Sequence, residues 1–195
     1  MNIFKKYNSI LKMYLSSDSI KNIEKNYNEK TRFYHNMSHL EQMIKDVQNN
    51  ITFSDLSLVE KHTLLLGIFL HDVIYYPKKK DNEDQSIKFF KQAYIGKDPI
   101  MVKKVSDLIE VTKYRKRPIE KLQKIFWDAD NAGFKKGYNV LLDNEAKIRK
   151  EFAFVSSQVY KENRIKFLDS CIGLFNEKAD KDIQTLINHI KKIYK

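Results

Sequence analysis

The chain contains 195 residues, 42% of them hydrophobic, and carries a formal net charge of +11. This length predicts a single domain over residues 1–195, and no apolar run is long enough to span a membrane. The one cysteine, Cys171, excludes an internal disulfide and a cysteine-based zinc site, and it fits a reducing cytoplasm. The positive charge suits an anionic partner without identifying one.

The scarcity of helix breakers, five glycines and three prolines, predicts an all-α fold. We expect seven to nine helices and no sheet. Residues 1–30 are interpreted as an N-terminal helical packing segment, residues 31–135 as the core that carries the chemistry, and residues 136–195 as C-terminal helices.

Two histidines lie in the segment from Arg32 to Asn49, whose apolar stripe at helical spacing predicts one continuous helix. His35 and His39 are four residues apart and would lie on one ridge of that helix. Such a pair fits two metal ligands, or one ligand and one substrate contact, or two side chains that only bond backbone. The spacing leaves these alternatives open.

A further histidine, His71, comes directly after a run of apolar residues. The capping box that begins at Ser57 and the proline at position 77 predict a helix over residues 57–75. His71 and Asp72 lie near its buried end, where an unpaired imidazole and carboxylate would be costly. A metal ion is the simplest common partner for both groups.

Acidic residues stand out at two further places. The cluster over residues 81–84 opens a predicted helix over residues 81–94, where Glu83 suits the first turn by its charge alone. Asp128 and Asp130 follow two bulky apolar residues in a predicted helix over residues 121–130. Because residues two apart do not share a helix face, at most one of these two aspartates points at a given centre.

In chain order these residues form the pattern H…HD…D, and the sequence resembles the HD superfamily of metal-dependent phosphohydrolases. The resemblance is closest to a branch of short bacterial HD proteins and runs from about Arg32 to the C-terminus. The matching stretches are RFYHNMSH at 32–39, FLHDVIY at 69–75, DNEDQS at 81–86, DAD at 128–130 and RKEF at 149–152.

This resemblance implies an HD-type helical bundle with one divalent transition metal, Mn, Fe, Co, Ni or Zn, held between helices. The implied metal ligands are His35, His71, Asp72 and Asp130. Glu83 is implied as the general base or water-orienting residue, with Asp72 also in the catalytic set. The expected substrate contacts are Arg32, His39, Asn82, Lys113 and Arg115.

The implied activity is hydrolysis of a nucleotide or another small phosphoester by water that the metal activates. The alternative is a non-catalytic HD module that binds a nucleotide or a metal as a sensor. A basic nucleic-acid-binding helical protein is a third possibility, although no helix-turn-helix signature is present. The stretch from Asp72 to Asn188 contains no histidine, so we do not expect the second metal that extra histidines hold in some HD proteins.

Overall fold

The computed structural model describes residues 2–114 and 116–194, and within these ranges the fold is all-α, as predicted. Ten α-helices are present there, so the expected count of seven to nine was too low. Their bounds are α1 Ile3–Tyr14, α2 Ser17–Tyr27, α3 Met37–Gln48, α4 Leu58–Leu70, α5 Asn82–Ala93, α6 Pro99–Glu110, α7 Lys121–Asp130, α8 Tyr138–Glu151, α9 Ser157–Asp169 and α10 Glu177–Ile193.

Two short 3₁₀ helices, Val111–Lys113 and Ala132–Lys135, flank α7. No strand occurs among the described residues, where the only β pairing is an isolated bridge between Leu15 and Tyr94. None of the helices in the described ranges combines the length and the apolar character needed to cross a membrane.

Helix α3 begins at Met37, so the predicted helix start at Arg32 was wrong. Asn36 is the N-cap, and its side chain accepts a hydrogen bond from the Ser38 backbone N–H. The Asn36 amide nitrogen also donates to the carbonyl oxygen of Arg32, which holds the preceding residues in a turn. His35 therefore precedes the helix, and it does not share a helical ridge with His39.

Helix α4 starts with the predicted capping box but ends at Leu70, before the predicted end. The guanidinium of Arg32 donates to the carbonyl oxygens of Asp72 and Val73, at 2.5 and 3.0 Å. The Ser86 hydroxyl accepts a hydrogen bond from the backbone N–H of Ile74 and lies 3.3 Å from the carbonyl oxygen of the same residue. These partners replace helical hydrogen bonds, so the chain turns where an unbroken helix was expected.

Two hydrophobic clusters hold the helices together. The larger cluster collects buried side chains from Ile3 to Ala129, and the smaller one collects side chains of α8 to α10 together with Cys171. The larger cluster is closely packed at Gly67, where an added Cβ atom would lie only 2.9 Å from the Leu108 side chain. Helices α4 and α6 therefore approach closely, behind the turn that carries the HD dipeptide.

Candidate metal centre

Four polar side chains converge where the helix ends meet. The Nε2 atoms of His39 and His71 are 3.2 Å apart. Asp72 Oδ2 lies 2.9 Å from His71 Nε2, and Asp130 Oδ1 lies 3.2 and 3.7 Å from the Nε2 atoms of His39 and His71. The potential ligand atoms of His39, His71 and Asp72 all lie within 4.8 Å of one another, so this group could hold a metal ion.

The geometry of these atoms fits a small divalent ion. Ligands at right angles, each about 2.1 Å from an ion, are about 3 Å apart, which is close to the four separations of 2.9 to 3.7 Å given above. His71 Nδ1 lies 3.0 Å from the carbonyl oxygen of Ile68, which can only accept. The Nδ1 nitrogen therefore carries a proton, and Nε2 is the atom that faces the other donors, the orientation usual for a metal-binding histidine.

The local charges also favour a cation. Burial lowers the pKa of His71, but the nearby Asp72 and Asp130 carboxylates outweigh it and raise this pKa to about 9. Burial raises the pKa of Asp72, yet the neighbouring imidazoles hold it well below its usual range. Both carboxyl groups are therefore ionised in a buried place, where a metal ion supplies matching positive charge.

His35 occupies a different place from the one predicted for it. Its Nδ1 atom lies 2.7 Å from Glu151 Oε2, and its ring stacks on Tyr75 with the centroids 4.0 Å apart. The structure brings His39, predicted as a substrate contact, to the other donor atoms, whereas His35, predicted as a ligand, lines the cavity beside Glu151. The cap at Asn36 explains their different positions, because it turns the chain between the two histidines.

Glu151 is the residue that fixes His35. Its Oε1 accepts the backbone N–H groups of Tyr34 and His35 at 2.7 and 3.0 Å, and its Oε2 accepts the Tyr75 hydroxyl at 3.0 Å. Burial raises the pKa of Glu151, but its hydrogen bonds with His35 lower it further than burial raises it. The sequence pattern contained Glu151 within RKEF but gave it no role.

Asp128 and Asp130 have different partners, as expected for residues two positions apart in a helix. Asp130 reaches the imidazoles, whereas Asp128 forms ion pairs with Arg117 and, at 3.7 Å, with Lys135. Arg32 lies behind the donor cluster, where it is almost fully buried and holds the carbonyl oxygens of the HD turn. Arg32 therefore positions the HD turn and does not line the cavity described next.

An open cavity of about 320 Å³ reaches three members of this cluster, His71, Asp72 and Asp130, and His35 also lines it, whereas His39 lines a neighbouring pocket. Asn82 and Glu83 line the open cavity, at the start of α5, and the Asn82 amide bonds both backbone groups of Tyr76 at 3.0 and 3.1 Å. Lys113 lies outside the lining and forms an ion pair with Asp84. The remaining predicted contact, Arg115, lies outside the described residues.

Comparisons of the chain with protein-family models and with curated proteins give no match.

Proposed function

We propose that this protein is a metal-dependent phosphohydrolase of the HD type that acts on a nucleotide or another small phosphoester. The observation that carries the proposal is the convergence of two imidazoles and two carboxylates beside an open cavity, which His71, Asp72 and Asp130 line together with a histidine held by a buried glutamate. The ordered H…HD…D motifs of the sequence support it independently.

In this proposal one divalent transition metal binds His39, His71, Asp72 and Asp130. The ion would act as a Lewis acid that lowers the pKa of water and neutralises charge on the phosphoryl group. The protein contributes the preorganised donors, since Ile68 orients the His71 ring and Arg32 holds the turn that carries Asp72.

His35 is assigned to the leaving group. Breaking a phosphoester bond leaves an alkoxide oxygen that needs a proton, and a positioned imidazole supplies one efficiently at neutral pH. His35 lines the cavity, with 21% of its side chain exposed, and its Nδ1 is held by Glu151. The Nε2 atom remains for the substrate, and Glu151 orients the ring through Nδ1 as the aspartate of a hydrolase triad does.

Glu83 is proposed as the residue that orients or deprotonates the attacking water. It lines the same cavity, in the first turn of α5. A purely structural role for Glu83 would be a favourable interaction with the helix dipole, worth at most about 1 kcal/mol. The two roles therefore differ strongly in the effect that each predicts for turnover.

A non-catalytic sensor would use the same metal cluster and cavity. It would have no need of a proton donor that faces the cavity, and the His35–Glu151 pair favours the enzyme for this reason. The deciding experiment is to load the protein with Mn²⁺, Fe²⁺, Co²⁺, Ni²⁺ or Zn²⁺ and assay nucleotides and aryl phosphoesters. We expect about one bound ion per chain and turnover of at least one compound.

Bound metal without turnover of any compound would favour the sensor, and failure to bind any of these metals would overturn both forms of the proposal. His189→Ala serves as the matched control, because it removes an imidazole on α10 that does not line the cavity.

A further inference from the structure

The cavity has a second wall that the metal chemistry does not use. Helices α8 and α9 and the second 3₁₀ helix supply it, and most of its side chains are apolar or aromatic. They are Phe134, Leu141, Ile148, Phe152 and Phe167, with the polar Asn144 and Arg164 among them. Arg164 is the only lysine or arginine among the described residues that line the cavity, so it is the main positive charge of this wall.

The Arg164 side chain is fixed in position within this wall. Its Nε donates to Glu145 Oε2 at 2.6 Å, and the Tyr160 hydroxyl donates to Glu145 Oε1, also at 2.6 Å. The guanidinium carbon lies 4.6 Å from the centroid of the Phe167 ring. These contacts hold the guanidinium plane before any ligand binds, which reduces the entropy lost on binding.

The buried ion pair of Glu145 and Arg164 needs an explanation beyond stability. Only 4% of the Glu145 side chain and 13% of the Arg164 side chain are exposed, and apolar residues would often hold two helices together equally well. Among the described residues Glu145 is the only hydrogen-bond partner of the guanidinium, and it accepts from Nε alone. The two terminal nitrogens are thus left to the cavity, in the geometry that binds carboxylate or phosphate by two parallel hydrogen bonds.

We propose that Arg164 binds a second anionic group of the substrate, a carboxylate or a phosphate on the part of the molecule that does not react. Phe134, Phe152 and Phe167 would pack against an apolar or aromatic body between the two anionic ends. This inference rests on the proposed function, which assigns the reacting phosphate to the metal centre. The two sites lie on different elements, because Arg164 contacts α8 and α9 residues while the metal donors belong to α3, to α7 and to the turn after α4.

A purely structural role for Arg164 makes a different prediction. If the ion pair only joins α8 to α9, its loss should lower stability and affect every substrate equally. If Arg164 binds a second anion, its loss should affect only substrates that carry one. A comparison of matched substrates therefore separates the two roles, even where a variant is somewhat less stable.

The test uses the full-length, metal-loaded protein and three aryl phosphates of similar shape. Phenyl phosphate has no second anion, 4-carboxyphenyl phosphate has a carboxylate, and 1,4-phenylene bisphosphate has a second phosphate. The variants are Arg164→Met and Arg164→Lys. The control is Lys166→Met, which removes a charge from an exposed position of the same helix outside the cavity.

We expect the wild-type protein to prefer at least one doubly anionic compound over phenyl phosphate by about 10- to 100-fold in kcat/KM, the usual worth of charge-assisted hydrogen bonds. The preferred compound identifies the anion. Arg164→Met should abolish the preference for doubly anionic compounds through KM, so that all three compounds are hydrolysed with similar kcat/KM. Arg164→Lys should retain part of the preference, since lysine keeps the charge but cannot donate two parallel hydrogen bonds. Lys166→Met should retain all of the preference.

Equal losses on all three compounds in Arg164→Met, or a wild-type protein without preference, would overturn the inference. The proposed function is tested separately by hydrolysis of phenyl phosphate itself. If none of the compounds is hydrolysed, their dissociation constants measured by calorimetry give the same comparison, so the assignment of Arg164 remains testable without turnover.

Discussion

The two walls of the cavity are built differently. Donor side chains of the metal wall lie at helix boundaries: His39 in the first turn of α3, His71 and Asp72 just after α4, and Asp130 at the end of α7. The opposite wall consists of side chains along the faces of α8 and α9. The metal wall is marked by unusual local patterns, whereas the opposite wall looks like any amphipathic helix pair. In the proposed function, the first wall carries the chemistry and the second wall selects the substrate.

The comparison implies that changes in the metal wall act on every substrate, and that changes in the opposite wall act selectively. The largest effect is expected for Asp72→Ala, which removes a carboxylate 2.9 Å from His71 Nε2. We expect metal content and turnover of all substrates to fall to background, as measured by elemental analysis and by the phosphoester panel. Asp128→Ala is the control, because Asp128 pairs with Arg117 instead. Full metal occupancy in Asp72→Ala would show that the donor set is wrong.

His35→Gln should keep the metal and lose turnover by about 10²- to 10⁴-fold, the usual worth of general acid catalysis. The loss should be large for alkyl phosphoesters and small for 4-nitrophenyl esters, because nitrophenolate leaves without a proton. Glu151→Gln should show the same dependence on the leaving group, since Glu151 holds the His35 ring at 2.7 Å. An equal loss for both kinds of ester would remove His35 from leaving-group protonation.

Glu83→Gln keeps the size of the side chain and removes its charge. If Glu83 handles the proton of the attacking water, turnover should fall by about 10²- to 10⁴-fold while the metal stays bound. The control is Asp84→Asn, which changes a more exposed carboxylate in the same helical turn outside the main cavity. Near-normal turnover of Glu83→Gln on its best substrate would leave Glu83 with a structural role alone.

The smallest of these effects is expected for Arg32→Met, which changes a residue that holds the backbone of the HD turn from outside the donor cluster and also pairs with Glu29. Loss of such outer partners commonly weakens metal affinity about 10- to 100-fold. Competition with a chelator measures this change, and Arg117→Met removes an arginine that does not contact the turn. Unchanged metal affinity in Arg32→Met would mean that packing alone holds the turn.

Much of the helical framework could be predicted from the sequence because its signals are local. Helix α7 has the predicted bounds, Lys121–Asp130, and α4 begins with the predicted capping box at Ser57. The end of α4 could not be predicted in this way, because it depends on Arg32, a residue about forty positions earlier in the chain. A contact between distant segments leaves no periodic pattern in either of them.

The separate positions of His35 and His39 had a signal in the sequence that helical periodicity concealed. Asn36 is a favoured N-cap residue, so a helix start at Met37 could have been inferred, with His35 outside the helix. Glu151 and Arg164 had weaker signals in the sequence. Each lies in an ordinary helical position, and its importance appears only when α8 and α9 fold against the metal wall.

The central claim is that His39 binds the metal and that His35 does not. Metal content of the wild-type protein, His39→Ala and His35→Ala, measured side by side after loading with the same ion, tests it most directly. We expect about one ion per chain in the wild type and in His35→Ala, and a loss of most of the metal in His39→Ala. Metal loss in His35→Ala with full occupancy in His39→Ala would contradict the account.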